Sequence, residues 1–142
     1  MSRRIKGLVE FEDDRGAVMR YIPHANGGGL VAPGARVHED AWLDRTAYVE
    51  AGAVVGPGAR VGAGSWVDVD VVLGPGVQIG SNVHLGARTR VGARARVGAN
   101  ARVGQRVSIE QGAIVEADGV VRDGAVVESA GRTRRAGYGQ AA

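Results

Sequence analysis

From Gly29 to Ala130 the chain repeats one six-residue pattern seventeen times without a break. The units open with GLVAPG, ARVHED, AWLDRT and AYVEAG and close with AIVEAD, GVVRDG and AVVESA. The third position is always Val, Leu or Ile, from Val31 through Val127. The first position is always small or β-branched. These two positions are two residues apart, so on a short strand they point to one side, which must be the interior. The second position lies between them and faces out, and there Arg, Trp, Tyr, Gln, His, Val and Ser all occur. The last three positions form a corner. Gly fills position four in eight units, and Gly, Asn or Asp fills position six in twelve, which suits corners that need φ > 0. A fixed six-residue period predicts a parallel β-helix, and no helical spacing competes with it.

This pattern resembles the hexapeptide-repeat, left-handed parallel β-helix proteins. The resemblance covers 102 of 142 residues. It implies three units per triangular coil and about six coils, with a left hand that ordinary crossovers lack. The family holds acyltransferases, γ-class carbonic anhydrases and non-enzymatic assembly proteins, so fold alone does not select an activity. The fold class expected is therefore all-β.

Outside the repeat, Ile5–Phe11 and Ala17–Ile22 are β-rich runs around the turn Glu12–Gly16, a hairpin signal. A hairpin here would cap the open edge of the first coil. Pro23–Gly28 reads as a flexible lead-in loop. The domain division is 1–28 for hairpin cap and lead-in, 29–130 for the β-helix, and 131–142 for a basic, flexible tail. The N-terminal part, with its AWL and AYV units, is also similar to uncharacterised repeat proteins of bacteria and their phages.

Composition changes this picture little. Net charge is +3, and there is no cysteine, hence no disulfide framework. The N-terminus has no apolar signal-peptide core, and no run is long and apolar enough to span a membrane. The expected location is the cytoplasm, or a virion. The expected partners are copies of the chain, as a homotrimer or larger assembly, and a protein partner through the C-terminal tail. No membrane is expected.

Residues eighteen apart stack on one face of a three-unit coil. The column Tyr48–Trp66–His84–Arg102 is the most site-like feature. Trp42, Tyr48 and Trp66 are candidate interface residues, because exposed aromatics mark contacts between subunits. His84 has two readings: an outward histidine in a trimer contact, or a general base oriented by Asp68. The base role is what the acyltransferase branch of the family implies. No metal site is expected. The γ-carbonic anhydrase branch needs three convergent histidines, whereas His24 precedes the helix and His38 and His84 fall on different faces.

Between Asp70 and Glu110 no acidic residue occurs, yet Arg88, Arg90, Arg94, Arg96, Arg102 and Arg106 do. Three of them take the corner position that elsewhere prefers Gly, Asn or Asp, a local rule broken repeatedly in one place. The belt is a candidate surface for an anion or an acidic partner. Nucleic acid is not expected, since aromatic residues are not interleaved for base stacking.

Two function classes follow. The leading expectation is a non-enzymatic structural or assembly protein without a cofactor, such as part of a phage particle. The unbroken repeat and sparse catalytic chemistry favour it, as does the lack of the inserted loop and C-terminal helix usual in the enzymes. The alternative is a coenzyme-A-dependent acyltransferase with His84 as base and the arginine belt near the phosphates.

Overall fold

The computed structural model describes residues 9–12 and 18–129. The turn of the expected hairpin and the C-terminal tail lie outside the described residues. Strands β1 (Val9–Glu12) and β2 (Val18–Pro23) pair antiparallel. Seventeen two-residue strands follow, from β3 (Leu30–Val31) to β19 (Val126–Val127). Every one falls on positions two and three of a repeat unit. Each pairs in parallel with the strand three units away: Trp66 with Tyr48 and His84, Val72 with Val54 and Arg90, Gln78 with Arg60 and Arg96. The result is an all-β, left-handed parallel β-helix of a little under six coils, with three flat faces.

Positions one and three fill the interior as expected. Leu43, Val49, Val61, Val67, Leu85 and Val115 are fully buried, as are Ala41, Ala53 and Ala101 from position one. Small residues at position one leave room for the branched side chains at position three, so the narrow core stays filled from coil to coil. Successive coils lie one strand spacing apart, about 4.8 Å.

The corners separate two uses of glycine. Position six carries the left-handed backbone: Gly58 has φ 72° and Asn82 φ 57°. Position four carries glycine for lack of room instead. A Cβ on Gly62 would stand 2.7 Å from the carbonyl oxygen of Gly80 on the next coil. Position six also ties the coils together, as where Gly76 N–H donates to Pro57 O at 2.9 Å. In the first coil, side chains replace those carbonyls. The Asp40 carboxylate accepts from Gly58 N–H and the Thr46 hydroxyl from Gly64 N–H, both at 2.8 Å.

The N-terminal end is covered in two ways. Strand β2 adds antiparallel to β3, with Ile22 opposite Val31, and so closes the edge of one sheet. The lead-in loop closes a second edge: Leu43 N–H donates to Asn26 O, and Gly29 N–H donates to Leu43 O, each at 3.1 Å. His24 Nε2 and Asn26 Nδ2 both reach Ala41 O, at 2.9 and 3.1 Å. Read from sequence as flexible, this loop is a hydrogen-bonded cap. Gly27, at φ 105°, permits it, because a side chain there would run into the Leu43 carbonyl.

Candidate functional site

The sheet that β2 extends presents Leu30, Tyr48, Trp66, His84, Arg102 and Val120 outward, one per coil. Beside it runs the position-four corner, where Glu50 and Asp68 stand in successive coils. Parallel pairing in register brings the two columns together, and the titratable side chains join at their seam.

His84 Nε2 lies 3.1 Å from Asp68 Oδ2. The His84 ring stacks on Trp66, with centroids 4.3 Å apart and planes 14° from parallel. Trp66 Nε1–H donates to Glu50 Oε2 at 2.8 Å, and the Tyr21 hydroxyl donates to Glu50 Oε1 at 2.8 Å. Tyr21 also meets the Tyr48 ring edge-on at 5.5 Å. The Tyr21 hydroxyl is pushed well up in pKa, first by burial and then by its bond to the Glu50 carboxylate. One connected set of side chains therefore runs from the hairpin across three coils to His84 and Asp68.

The remaining sequence candidates are dispersed. Among the six arginines, Arg102 pairs in register with His84, while Arg88 and Arg106 occupy the corner after that sheet in successive coils. Arg90 lies on the second face, Arg96 on the third, and Arg94 on the corner between them. The belt encircles the prism and does not converge on one pocket. Among the described residues none of the six is ion-paired. Arg88, Arg94 and Arg106 hold φ of 62°, 60° and 53°, a strained backbone for a side chain of this size.

The three aromatic candidates also separate. Trp42 lies on the third face, with the Arg60 guanidinium 5.6 Å from its ring. That face forms an open groove of about 490 Å³ along Arg60, Gln78, Arg96 and Ile114, away from His84. Tyr48 is half-buried because Tyr21 covers it, and Trp66 belongs to the His84 site. His24 and His38 bond elsewhere, the latter to Asp40 at 2.9 Å. No group of three metal-ligating side chains occurs among the described residues.

Sequence reasoning missed Glu50 and Tyr21. The eighteen-residue stacking rule applied to position four would have set Glu50 beside Asp68. Tyr21 stands outside the repeat and has no register to read.

A family model described as bacterial transferase hexapeptide (six repeats) matches residues 59–93 and 70–105. No curated protein matches the chain. Among solved structures, it is similar to a point mutant of the GDP-perosamine N-acetyltransferase of Caulobacter crescentus in complex with CoA and GDP-perosamine. That match has a TM-score of 0.70 and 24% identity, over 71% of this chain and 48% of that one. It also matches the acetyltransferase domain of PglB from Neisseria gonorrhoeae in complex with acetyl coenzyme A, at TM-score 0.41 and 24% identity, over 69% and 53% of the two chains. The chain spans about half the length of these structures. At such identity the likeness shows the fold.

Two sequence expectations are corrected by these matches. The solved structures alike in fold include an N-acetyltransferase crystallised with CoA, so the fold does not favour the reading as a non-enzymatic structural or assembly protein, nor the expectation of no cofactor. The physical reason is that an unbroken prism does not lack the means to build a site. Outward and corner side chains of adjacent coils stand within hydrogen-bond reach of one another without any inserted loop, as His84 and Asp68 do.

Proposed function

We propose that this hexapeptide-repeat β-helix protein is a coenzyme-A-dependent acyltransferase, with His84 as the general base toward an acceptor amine or hydroxyl. The observation that carries the reading is the 3.1 Å bond between His84 Nε2 and Asp68 Oδ2. A carboxylate can only accept, so the neutral imidazole carries its proton on Nε2 and keeps the lone pair on Nδ1. Nδ1 has no partner among the described residues. In this reading it takes the proton from the acceptor as the acceptor's nitrogen or oxygen attacks. Asp68 stabilises the imidazolium that forms and holds the ring in place.

Acyl-coenzyme A, when bound, supplies a thioester carbonyl whose C–S bond breaks as the acceptor's N–C or O–C bond forms, leaving a thiol. The donors suited to its phosphates are the unpaired guanidiniums, which bind phosphate bidentately. Arg88, Arg102 and Arg106 are the candidates on the His84 side of the prism. The exposed Trp42 and Ile114 on one face and Val54 and Val126 on another support a homotrimer, since packing against a second copy would bury them.

Calorimetric titration of acetyl-coenzyme A tests the reading. Saturable binding by the wild-type chain, weakened by Arg88→Ala, is expected. No heat at millimolar ligand would overturn it.

A further inference from the structure

The Glu50 carboxylate uses both oxygens on neutral donors that are distant in sequence: Tyr21 on the hairpin and Trp66 on the next coil, each at 2.8 Å. Tyr21 is 7% exposed and braced edge-on by Tyr48. Trp66 would otherwise be a loosely held side chain, 43% exposed on a flat sheet. Tied by its indole N–H, it has one fixed orientation, and its ring face then limits His84 to nearly parallel planes. An imidazole confined to that plane still has two flips, and only one turns Nε2 toward Asp68. A stack without the Asp68 bond would leave the flip undecided. The Asp68 bond without a stack would leave the ring free to tilt.

From this geometry we infer that Glu50 is a positioning residue. Through Trp66 it holds the His84 ring in the plane where Nε2–H can reach Asp68, and the Asp68 bond then leaves Nδ1 as the nitrogen free to act. The Tyr21 hydroxyl is the anchor that holds Glu50, so the hairpin is part of the site as well as a cap on the sheet edge. The consequence for catalysis rests on the acyltransferase reading; the statement about the ring does not.

The test is the ring-nitrogen spectrum of His84 in the ¹⁵N-labelled chain, recorded in alkaline buffer where imidazole is neutral. The variants are Glu50→Gln, Tyr21→Phe and Trp66→Leu. Wild type is expected to show the Nε2–H form, with Nδ1 in the range of an unprotonated nitrogen. A ring free to tilt keeps the Asp68 bond for only part of the time, so Glu50→Gln and Trp66→Leu should move both nitrogens toward the averaged values of a tautomer mixture, and Tyr21→Phe should move them part of the way. His24 and His38, bonded to Ala41 O and Asp40, serve as internal controls. Tyr21→Phe removes a single hydroxyl and guards against a Glu50 variant that does not fold.

Unchanged His84 nitrogens in the folded variants, or an Nδ1–H form in wild type, would overturn the proposal. In a transfer assay, Glu50→Gln should lower kcat by about tenfold, with the KM for acetyl-coenzyme A unchanged. Absence of transfer in wild type would count against the acyltransferase reading alone, because the nitrogen spectrum decides the positioning role by itself.

Discussion

The hydroxyl of Ser65 sits inside the corner of the next coil, accepting from Val83 N–H at 3.0 Å while donating to Gly80 O at 2.6 Å. In most other corners the position-one N–H reaches the position-four carbonyl directly, as Ala101 N–H does to Gly98 O at 3.3 Å. Here the hydroxyl is inserted between the two. Thr89 does the same for Val107 and Gly104. These are the two buried polar side chains among the described residues, and both are fully satisfied.

Ser65→Ala should therefore cost about 1–3 kcal/mol, the usual penalty for stranding a buried donor and acceptor. Ser65→Thr should cost much less, since Thr89 keeps the same bridge. Urea unfolding of both variants checks this; an Ala variant as stable as wild type would mean the corner closes without the hydroxyl.

Arg88→Gly should raise stability while weakening acetyl-coenzyme A binding. The backbone at φ 62° is one that glycine adopts freely, and relief of the strain is worth about 1 kcal/mol, partly offset by the freer unfolded chain. Thermal melts and calorimetry on the same variant separate the two effects. A fall in melting temperature would show that the Arg88 side chain contributes packing that outweighs its strain.

Acid should destabilise the first coil through Asp40 and Asp44. The Gly58 N–H holds the Asp40 carboxyl below the usual carboxylate range, and the Thr46 backbone N–H followed by its hydroxyl does so for Asp44. Their ionised forms are favoured in the fold, so the contribution is present above the unfolded value of 3.8 and is lost as pH falls below it. Melting temperature measured from pH 6 down to about 2 should fall less steeply in Asp40→Asn than in wild type. Parallel curves would remove Asp40 from the account.

At the alkaline end the sign reverses. Tyr21 is raised in the fold, so its contribution is present below the unfolded value of 10.0 and is lost as pH rises beyond it. Tyr21→Phe should lower stability at neutral pH yet flatten the decline above about pH 10. An equally steep decline in the variant would show that burial and the Glu50 bond do not hold the Tyr21 phenol neutral in the fold.

Much of this was legible in the sequence because position one and position three repeat without error from Gly29 to Val127, and that alone fixes which side of each strand is interior. The eighteen-residue column was legible for the same reason, which put Trp66 next to His84. The corner residues were harder, since position four serves close packing at Gly62 and hydrogen bonding at Glu50, and the period does not distinguish the two uses. The arginine belt looked like one site because six arginines fall close together in the chain. Each unit turns a third of the way around the prism, so neighbours in sequence face different directions. The lead-in loop was misjudged because PHANGG carries loop residues, while its order comes from bonds to Ala41 and Leu43 that no local signal announces.

The most direct test of the account is release of free thiol from acetyl-coenzyme A in the presence of a panel of amine and hydroxyl acceptors. The chain contains no cysteine, so a thiol-reactive dye reports only the released coenzyme. The account predicts acceptor-dependent release by wild type, a loss of about a hundredfold or more in His84→Ala, and a smaller loss in Asp68→Asn. Release that persists undiminished in folded His84→Ala would contradict it.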